Sequence, residues 1–332
     1  MTTSQDQNSP LNFATVSSLL ITGLVTFMLC SSGVFSILSP LPLIHTAFRH
    51  GKFKSYIVAA LTITVALFAL PSDSGRVALA LMLGIYIIIA LISIEVIDRG
   101  IKPIRGIVCG GIIVSFLLGA GVLSFLNSKE QTASDFLTDK ITENSKNYSA
   151  MAGLLYEKSS IEYKAFIQKI EKEPESFANE IVLVIPKVLI VLVFITFWIN
   201  LSLGLKTRFL SLEKREKIHE LIHVKVPEQL VWFFIMGLVF VVFGDYLEGE
   251  LGEIFPELGS YVLTILSVFY FFQGFGVYVS FLDNLKVIGF FRSLLIVSTV
   301  YLAFQILILI GFSDMFVNYR RFFKKNNNQG EL

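Results

Sequence analysis

Long, continuously apolar blocks alternate with short polar loops along most of the chain. Several of these blocks reach the roughly 20 residues that an α-helix needs to cross the hydrocarbon core of a bilayer. Inside a bilayer such a block must satisfy its own backbone hydrogen bonds, which predicts a helix. The blocks lack the period-2 alternation of membrane β-strands. The pattern therefore predicts an all-α, polytopic membrane protein.

The apolar blocks divide into nine predicted segments, and the total of membrane spans is predicted as eight or nine. The first stretch, 11–48, is too long for one span and is broken at Ser31-Ser32-Gly33 and again at Ser39-Pro40-Leu41-Pro42. The number of membrane spans therefore depends on whether the first stretch crosses the membrane once or twice, and on the path of the last segment. The predicted segments are 12–31, 34–48, 54–70, 77–97, 104–126, 181–205, 227–244, 259–282 and 287–312.

Three loops rich in Lys and Arg test this division, because basic residues favour the cytoplasmic side of a membrane. With two spans in the first stretch, all three loops share the cytoplasmic side with the N-terminus. Nine crossings would place Arg320 and Arg321 outside, against the same rule. Either the tail lies outside or the last segment bends and re-enters, and both alternatives stay open. The residues taken to set the topology are Arg49, Lys52, Lys54, Arg99, Lys102, Arg105, Lys206 and Arg208.

One long polar stretch, 127–179, carries two amphipathic patterns and is expected on the extracytoplasmic side. It is interpreted as a helical arm on the membrane surface, or alternatively as a lid over an outward-facing cavity or a docking element. The predicted organisation is a polar N-terminal tail (1–11), five transmembrane segments (12–126), the arm (127–179), a sixth segment (180–205), a basic cytoplasmic linker helix (206–226), C-terminal transmembrane segments (227–313) and a basic tail (314–332).

Composition supports the membrane assignment and excludes several other classes. Hydrophobic residues make up 54% of the chain and charged residues 16%, whereas a soluble domain has about 25% charged residues. The net charge of +1 offers no attraction for nucleic acid. Cys30 and Cys109 lie in apolar blocks without metal-type spacing and are interpreted as packing residues. No phosphate-binding loop is visible, so we expect no cofactor and no energy-coupling domain.

One motif has the form of a zinc site. His219-Glu220-Leu221-Ile222-His223 is a literal HExxH, in which two His bind zinc and the Glu activates water. It lies in the charged linker, and no His follows it to act as a third ligand. The favoured interpretation is an interfacial linker helix with chance His spacing, so no metal and no enzymatic activity are expected. A zinc metalloprotease is the less favoured alternative.

Polar residues inside spans are candidates for ligand binding, because they are costly in a bilayer. Glu95, Asn200 and Gln273 are such residues. Pro40 and Pro42 break a helix at membrane depth, a feature found at transporter binding sites. Each has a simpler explanation: an interfacial anchor for Glu95, interhelical hydrogen bonds for the two amides, and a tight connection for the prolines.

Several short motifs resemble one family. They run in order along nearly the whole chain: Pro40-Leu41-Pro42-Leu43, Arg49-His50-Gly51, Ile185-Pro186 with Asn200, Val226–Trp232, Tyr270–Gly274, and Gly311–Asp314 with Arg320. The chain is similar to the YybS-type bacterial membrane proteins, a family of unknown function. This resemblance implies a multi-pass protein of the bacterial inner membrane.

The resemblance also implies distant similarity to the S-components of energy-coupling-factor transporters, whose core is six helices with both ends inside. The segments up to residue 205 fit that number. The arm at 127–179 and the segments beyond 226 are not S-component features.

Two functional hypotheses follow. The first is a small-molecule-binding or transport module that relies on separate partners for energy. The second is an envelope scaffold or assembly protein that acts through protein partners. Besides the lipid bilayer, the expected partners are other membrane proteins or further copies of the chain, and no nucleic acid.

Overall fold

The structure is a computed structural model that describes residues 13–69, 74–128, 131–143 and 172–327. The described residues form helices joined by short turns, with no strand among them, which confirms the predicted all-helical class. The α-helices are α1 Phe13–Ser31, α2 Pro40–His50, α3 Lys52–Ala69, α4 Ser74–Asp98, α5 Pro103–Ser128, α6 residues 133–143, α7 Pro174–Leu205, α8 Leu212–Ile222, α9 Leu230–Phe243, α10 Glu250–Asn284, α11 Gly289–Leu302, α12 Phe304–Val317 and α13 Tyr319–Asn327.

Five helices of the described chain are long and apolar enough to cross a membrane, namely α1, α4, α5, α7 and α10. A sixth span is reached if the bent pair α11 and α12 is taken as one. The predicted total of eight or nine includes shorter apolar helices. With 11 residues, α2 rises by roughly 16 Å, about half of a hydrocarbon core. The larger total therefore stays a prediction.

The predicted break after α1 is present, but the second helix begins later than expected. Gly33, with a φ of 68°, leads into a 3-10 helix at Val34–Leu38, and α2 starts only at Pro40. Proline favours the first helical position because its missing N–H would have no partner there. α2 then returns antiparallel to α1, since Ser39 Oγ donates to the Thr26 carbonyl at 2.9 Å and Thr22 and Thr46 share a hydroxyl hydrogen bond of 2.8 Å.

The last apolar segment is bent. α11 and α12 meet at Ala303 at an angle of 94°. α12 ends at Asn318 in the left-handed conformation, and α13 follows. Arg320, in the first turn of α13, donates to the carbonyl of Val224 at the end of the linker. The structure shows a bend in the last segment, and the tail begins beside the linker. The side of the membrane on which the tail lies stays a prediction.

Contacts divide the chain into two units, one of residues 1–114 and 193–332 and one of residues 115–192. In the second unit, Thr132 and Asp135 form a reciprocal capping box at the start of α6, with hydrogen bonds of 3.3 and 3.1 Å to each other's backbone N–H. Ser134 bonds the side chain of Asn179, and Phe125 packs edge-on against Phe136. The rest of the predicted arm, 144–171, lies outside the described residues.

In the first unit, close helix packing depends on small residues. A Cβ added at Gly111 would overlap the ring of Phe194, and one at Gly110 would meet Phe197. Both rings are almost fully buried. The Gly110-Gly111 pair therefore admits two large aromatic side chains, in agreement with the rule that small residues let helices approach in membranes.

Candidate binding groove between the first two helices

A groove of about 530 Å³ lies between α1 and α2. α1 contributes one face of its helix, because its lining residues follow i, i+3, i+4 spacing. α2 contributes the residues that follow the break at Pro40. The lining consists of Ala14, Ser17, Ser18, Ile21, Thr22 and Val25 from α1 and Leu41, Pro42, His45, Thr46 and Arg49 from α2.

The two ends of the groove differ in polarity. Since α2 runs antiparallel to α1, His45 lies at the level of the Thr22–Thr46 pair, in the middle of the groove. Arg49 lies at the level of Ser18, whose hydroxyl bonds the adjacent His50, and marks the polar end. This polar end adjoins the basic loop that follows α2. Leu41, Pro42 and Val25 form the other end, which is apolar. Between them, the buried hydroxyl pair Thr22–Thr46 fixes the spacing of the two helices.

The polar end carries positive charge. The guanidinium carbons of Arg49 and Arg208 lie 5.9 and 5.2 Å from the centroid of the Phe209 ring, and His45 meets the same ring edge-on. His50 shares a 3.2 Å hydrogen bond with Ser18. Burial, followed by the charges of Arg49 and Lys54, lowers the pKa of His50, so its ring favours the neutral form. Arg49 is thus the principal cation facing the groove.

A second layer of polar contacts holds the break itself. Asn200 Nδ2 donates to the Ile37 carbonyl at 2.7 Å and to the Thr196 carbonyl at 2.8 Å, and Asn200 is fully buried. Tyr86 donates to Ser36 at 3.0 Å. A broken helix frees backbone groups that need protein partners in a membrane. Asn200 on α7 supplies one for the Ile37 carbonyl, and Tyr86 on α4 holds the side chain of Ser36. The break is therefore a fixed element.

The structure separates the five predicted ligand-binding residues. Pro42 lines the groove, whereas Pro40 is buried at the start of α2. Asn200 supports the break behind them. Glu95 and Gln273 lie in two other clusters, described below. Sequence reasoning missed Ser17, Ser18 and Thr22, although their helical spacing with Val25 is visible in the sequence.

Glu95 belongs to an ionic cluster, here called the loop-end cluster, formed by Lys52, Glu95, Asp98 and Lys214. Lys52 Nζ lies 2.8 Å from Glu95 and 2.7 Å from Asp98, and Lys214 lies 3.2 Å from Asp98. Desolvation lowers the pKa of Lys52, but hydrogen bonds to Asp98 and Glu95 outweigh it and leave the pKa above its ordinary value.

The loop-end cluster joins the three basic loops that the sequence predicts on one side of the membrane. Lys52 comes from the first loop, Asp98 precedes the second, and Lys214 belongs to the third. Lys217 also donates to the Gly100 carbonyl. These contacts place the three loop ends together, which is the arrangement that a shared side requires; the membrane side itself stays a prediction.

Gln273 belongs to a second cluster, here called the buried cluster, formed by Gln273, Asp314 and Arg320. Gln273 accepts from the Val226 N–H at 2.8 Å and donates to Asp314 at 3.1 Å. Arg320 Nη2 donates to the carbonyls of Val224 and Gln273, and its Nε lies 4.0 Å from Asp314. Desolvation lowers the pKa of Arg320, an effect that the charge of Asp314 opposes. The cluster ties the linker to α10, α12 and α13.

The HExxH motif lies at the end of α8, as the predicted linker helix requires. The side chains of His219 and Glu220 lie outside the described residues, and His223 is exposed. Among the side chains that are described, no three His, Cys, Asp or Glu residues are placed to hold a metal ion. The zinc hypothesis therefore gains no third ligand from the described part of the chain.

Long apolar helices, a helix break held by polar contacts and basic loops gathered at one end define a polytopic α-helical membrane protein. The family model described as "Predicted membrane protein (DUF2232)" matches residues 16–315. The chain belongs to this family. No curated protein and no solved structure matches the chain.

Proposed function

We propose that this protein is a membrane-embedded binding module for an amphiphile with an anionic head group, held in the groove between α1 and α2. The observation that carries the proposal is the change of polarity along that groove. Arg49 and two serines lie at the end beside the basic loop, His45 lies further in, and aliphatic residues line the other end. An amphiphile matches this arrangement along its whole length.

The dimensions and the charge support this ligand class. A volume of about 530 Å³ lies within the roughly 300–1,000 Å³ that is usual for small-molecule sites. A guanidinium offers five donors in a planar fork that suits a carboxylate or a phosphate. At the apolar end, contact with Val25 and Leu41 favours a hydrocarbon chain over a fully polar solute, because burying apolar surface stabilises the complex by about 25 cal/mol per Å².

The proposed setting is the inner membrane of a bacterium, with the basic loops on the cytoplasmic side. The sequence motifs that resemble those of YybS-type proteins favour, as part of this proposal, a module that works with separate energy-supplying partners. In this proposal the chain holds or presents the amphiphile. The clamped break at Asn200 keeps α2 in position against α1.

Native mass spectrometry of the protein released from nanodiscs of bacterial lipid tests the proposal. The wild-type protein should retain an anionic amphiphile. Arg49→Gln removes the main cation of the groove and should weaken ligand binding by about tenfold or more, because a hydrogen bond to a charged group contributes about 1.5–3 kcal/mol. Val25→Phe fills the groove and should lower ligand retention by excluding the hydrocarbon chain.

Matched controls distinguish the groove from the general membrane surface. Leu24→Phe introduces the same side chain at the neighbouring exposed position, which does not line the groove. Arg105→Gln removes an exposed cation from another basic loop. Equal retention in all four variants would overturn the proposal. Absence of any bound amphiphile together with stable co-purifying membrane proteins would instead favour the scaffold hypothesis.

A further inference from the structure

A second cavity, of about 550 Å³, lies far along the chain from the groove between α1 and α2. The end of the linker, the last turns of α10 and the turn between α12 and α13 surround it. Its walls include the side chains of His223, Lys225, Asp283, Asn318, Arg320 and Arg321. The proposed function uses none of these residues.

The charge on these walls is unequally distributed. Asp283 is the acidic residue in the lining, and it already pairs with Arg292 at 2.6 Å. Arg320 has Asp314 as its counter-ion, at 4.0 Å. Among the side chains that the structure describes, no carboxylate pairs with Lys225 or Arg321. The cavity therefore holds an excess of positive charge.

Arg320 gives this cavity a rigid wall. It is one-tenth exposed, and its Nη2 donates to two backbone carbonyls, those of Val224 and Gln273. Its Nε is buried and has no hydrogen-bond partner in the described structure. A guanidinium held in this way is pre-organised, so little side-chain entropy is lost when an anion binds beside it.

We propose that this cavity binds a phosphate group, with Lys225 and Arg321 as its principal ligands and Arg320 as the fixed positive wall. Cationic donors make the strong, short hydrogen bonds that recognise phosphate oxygens. The amide of Asn318 adds a neutral donor at the edge. The phosphate belongs either to a lipid head group or to a soluble phosphate compound, and the chemistry of recognition is the same for both.

The test uses the full-length protein in nanodiscs of pure phosphatidylcholine and in nanodiscs that also contain phosphatidylglycerol. Thermal unfolding is followed while pyrophosphate is added, because a ligand that binds the folded state raises its stability. The double variant Lys225→Gln/Arg321→Gln should bind the probe that stabilises the wild-type protein more weakly, by about tenfold or more for each cation removed. Lys102→Gln/Arg105→Gln is the matched control, with the same loss of charge in another exposed basic loop.

Stabilisation by pyrophosphate that the cavity variant loses and the control retains would assign a soluble phosphate ligand. Stabilisation only by phosphatidylglycerol, lost in the same variant, would assign a lipid head group. No response to either probe in the wild-type protein, or an equal loss in both double variants, would overturn the proposal. Because the groove between α1 and α2 is unchanged in both variants, this outcome is independent of the proposed function.

Discussion

The loop-end cluster and the buried cluster are built from similar groups but differ in their surroundings. In the loop-end cluster, the side chains of Lys52, Glu95, Asp98 and Lys214 are 31–40% exposed. In the buried cluster, Asp314 is 2% and Arg320 10% exposed. Each cluster joins segments that are distant in sequence. Their shared role as connectors is therefore achieved in two different dielectric environments.

The difference in environment changes how much each cluster contributes to the stability of the fold. Ions that keep part of their hydration attract each other weakly, typically by about 0–1 kcal/mol. Ions removed from water depend on their partners, because an uncompensated buried charge is costly. The loop-end cluster should therefore tolerate single substitutions, and the buried cluster should not. Four substitutions or conditions test this contrast, in order of decreasing effect.

Arg320→Met should have the largest effect. It leaves Asp314 buried without a cation and frees the carbonyls of Val224 and Gln273, so we expect a loss of about 3–5 kcal/mol in unfolding free energy. Thermal and denaturant unfolding in detergent measure it. Arg105→Met, at an exposed position outside both clusters, should change stability by less than about 0.5 kcal/mol. Stability equal to wild type for Arg320→Met would contradict the assignment of a structural buried charge.

Gly311→Ala should have the second-largest effect on stability. Gly274 and Gly311 let α10 and α12 touch, because a Cβ at either position would overlap the backbone of the other helix, at Leu307 or at Tyr270. Overpacking of this kind costs about 1–3 kcal/mol, and occasionally more. Because the added methyl group pushes α12 away from α10, the substitution should also lengthen the hydrogen bond between Asp314 and Gln273.

The control for this substitution is Gly84→Ala in α4, where nothing lies within 4 Å of the added Cβ. Alanine there should leave stability unchanged or raise it by up to about 1 kcal/mol, since alanine favours helix more than glycine. Equal behaviour of the two variants would show that the contact between α10 and α12 does not determine the position of the buried cluster.

Lys52→Met should have a smaller effect. It removes two ion pairs from groups that are about one-third exposed, which predicts a loss of about 1 kcal/mol or less. Lys54→Met provides the control in the same loop. A double-mutant cycle with Glu95→Gln measures the coupling directly. A loss as large as that of Arg320→Met would mean that partial exposure does not weaken the loop-end cluster.

The pH dependence of the stability that Lys52 provides should be the smallest of the four effects. The folded-state pKa of Lys52 is raised, so its stabilising contribution is complete below the ordinary lysine pKa of about 10.4. It is lost as the pH rises through the higher folded-state pKa. The difference in stability between wild type and Lys52→Met should therefore be constant at neutral pH and decline only in strongly alkaline solution. A decline between pH 6 and 8, roughly where His titrates, would assign the effect to another group.

Prediction from the sequence succeeded where the signal is local. Continuous apolar blocks predicted helices, and the structure has them. The Lys52–Asp98 and Lys214–Asp98 contacts bring loop ends together, whereas the shared membrane side of the basic loops stays a prediction. The start of α2 was placed six residues too early, at 34 instead of Pro40. The residues before Pro40 are apolar enough to continue a span, and composition does not distinguish a 3-10 turn from an α-helix.

The last segment shows the limit of the same reasoning. Hydropathy treats 287–312 as one straight span, which would place the basic tail on the side opposite the basic loops. The structure bends it by 94° at Ala303 and brings Arg320 to the Val224 carbonyl. No proline or glycine lies next to this bend to signal it in the sequence.

The sequence by itself determined that this chain is helical and membrane-embedded. A helix satisfies its own backbone hydrogen bonds, so a local apolar stretch that is long enough to cross the bilayer suffices to predict a span. The sequence also pointed to Asn200 and Gln273 as polar residues that need partners. Only the tertiary structure decided which partners they have: Ile37 for Asn200, and Asp314, 41 residues away, for Gln273. Polar partners and grooves arise from packing between helices that are distant in sequence. The hydropathy of one helix does not show which other helices contact it.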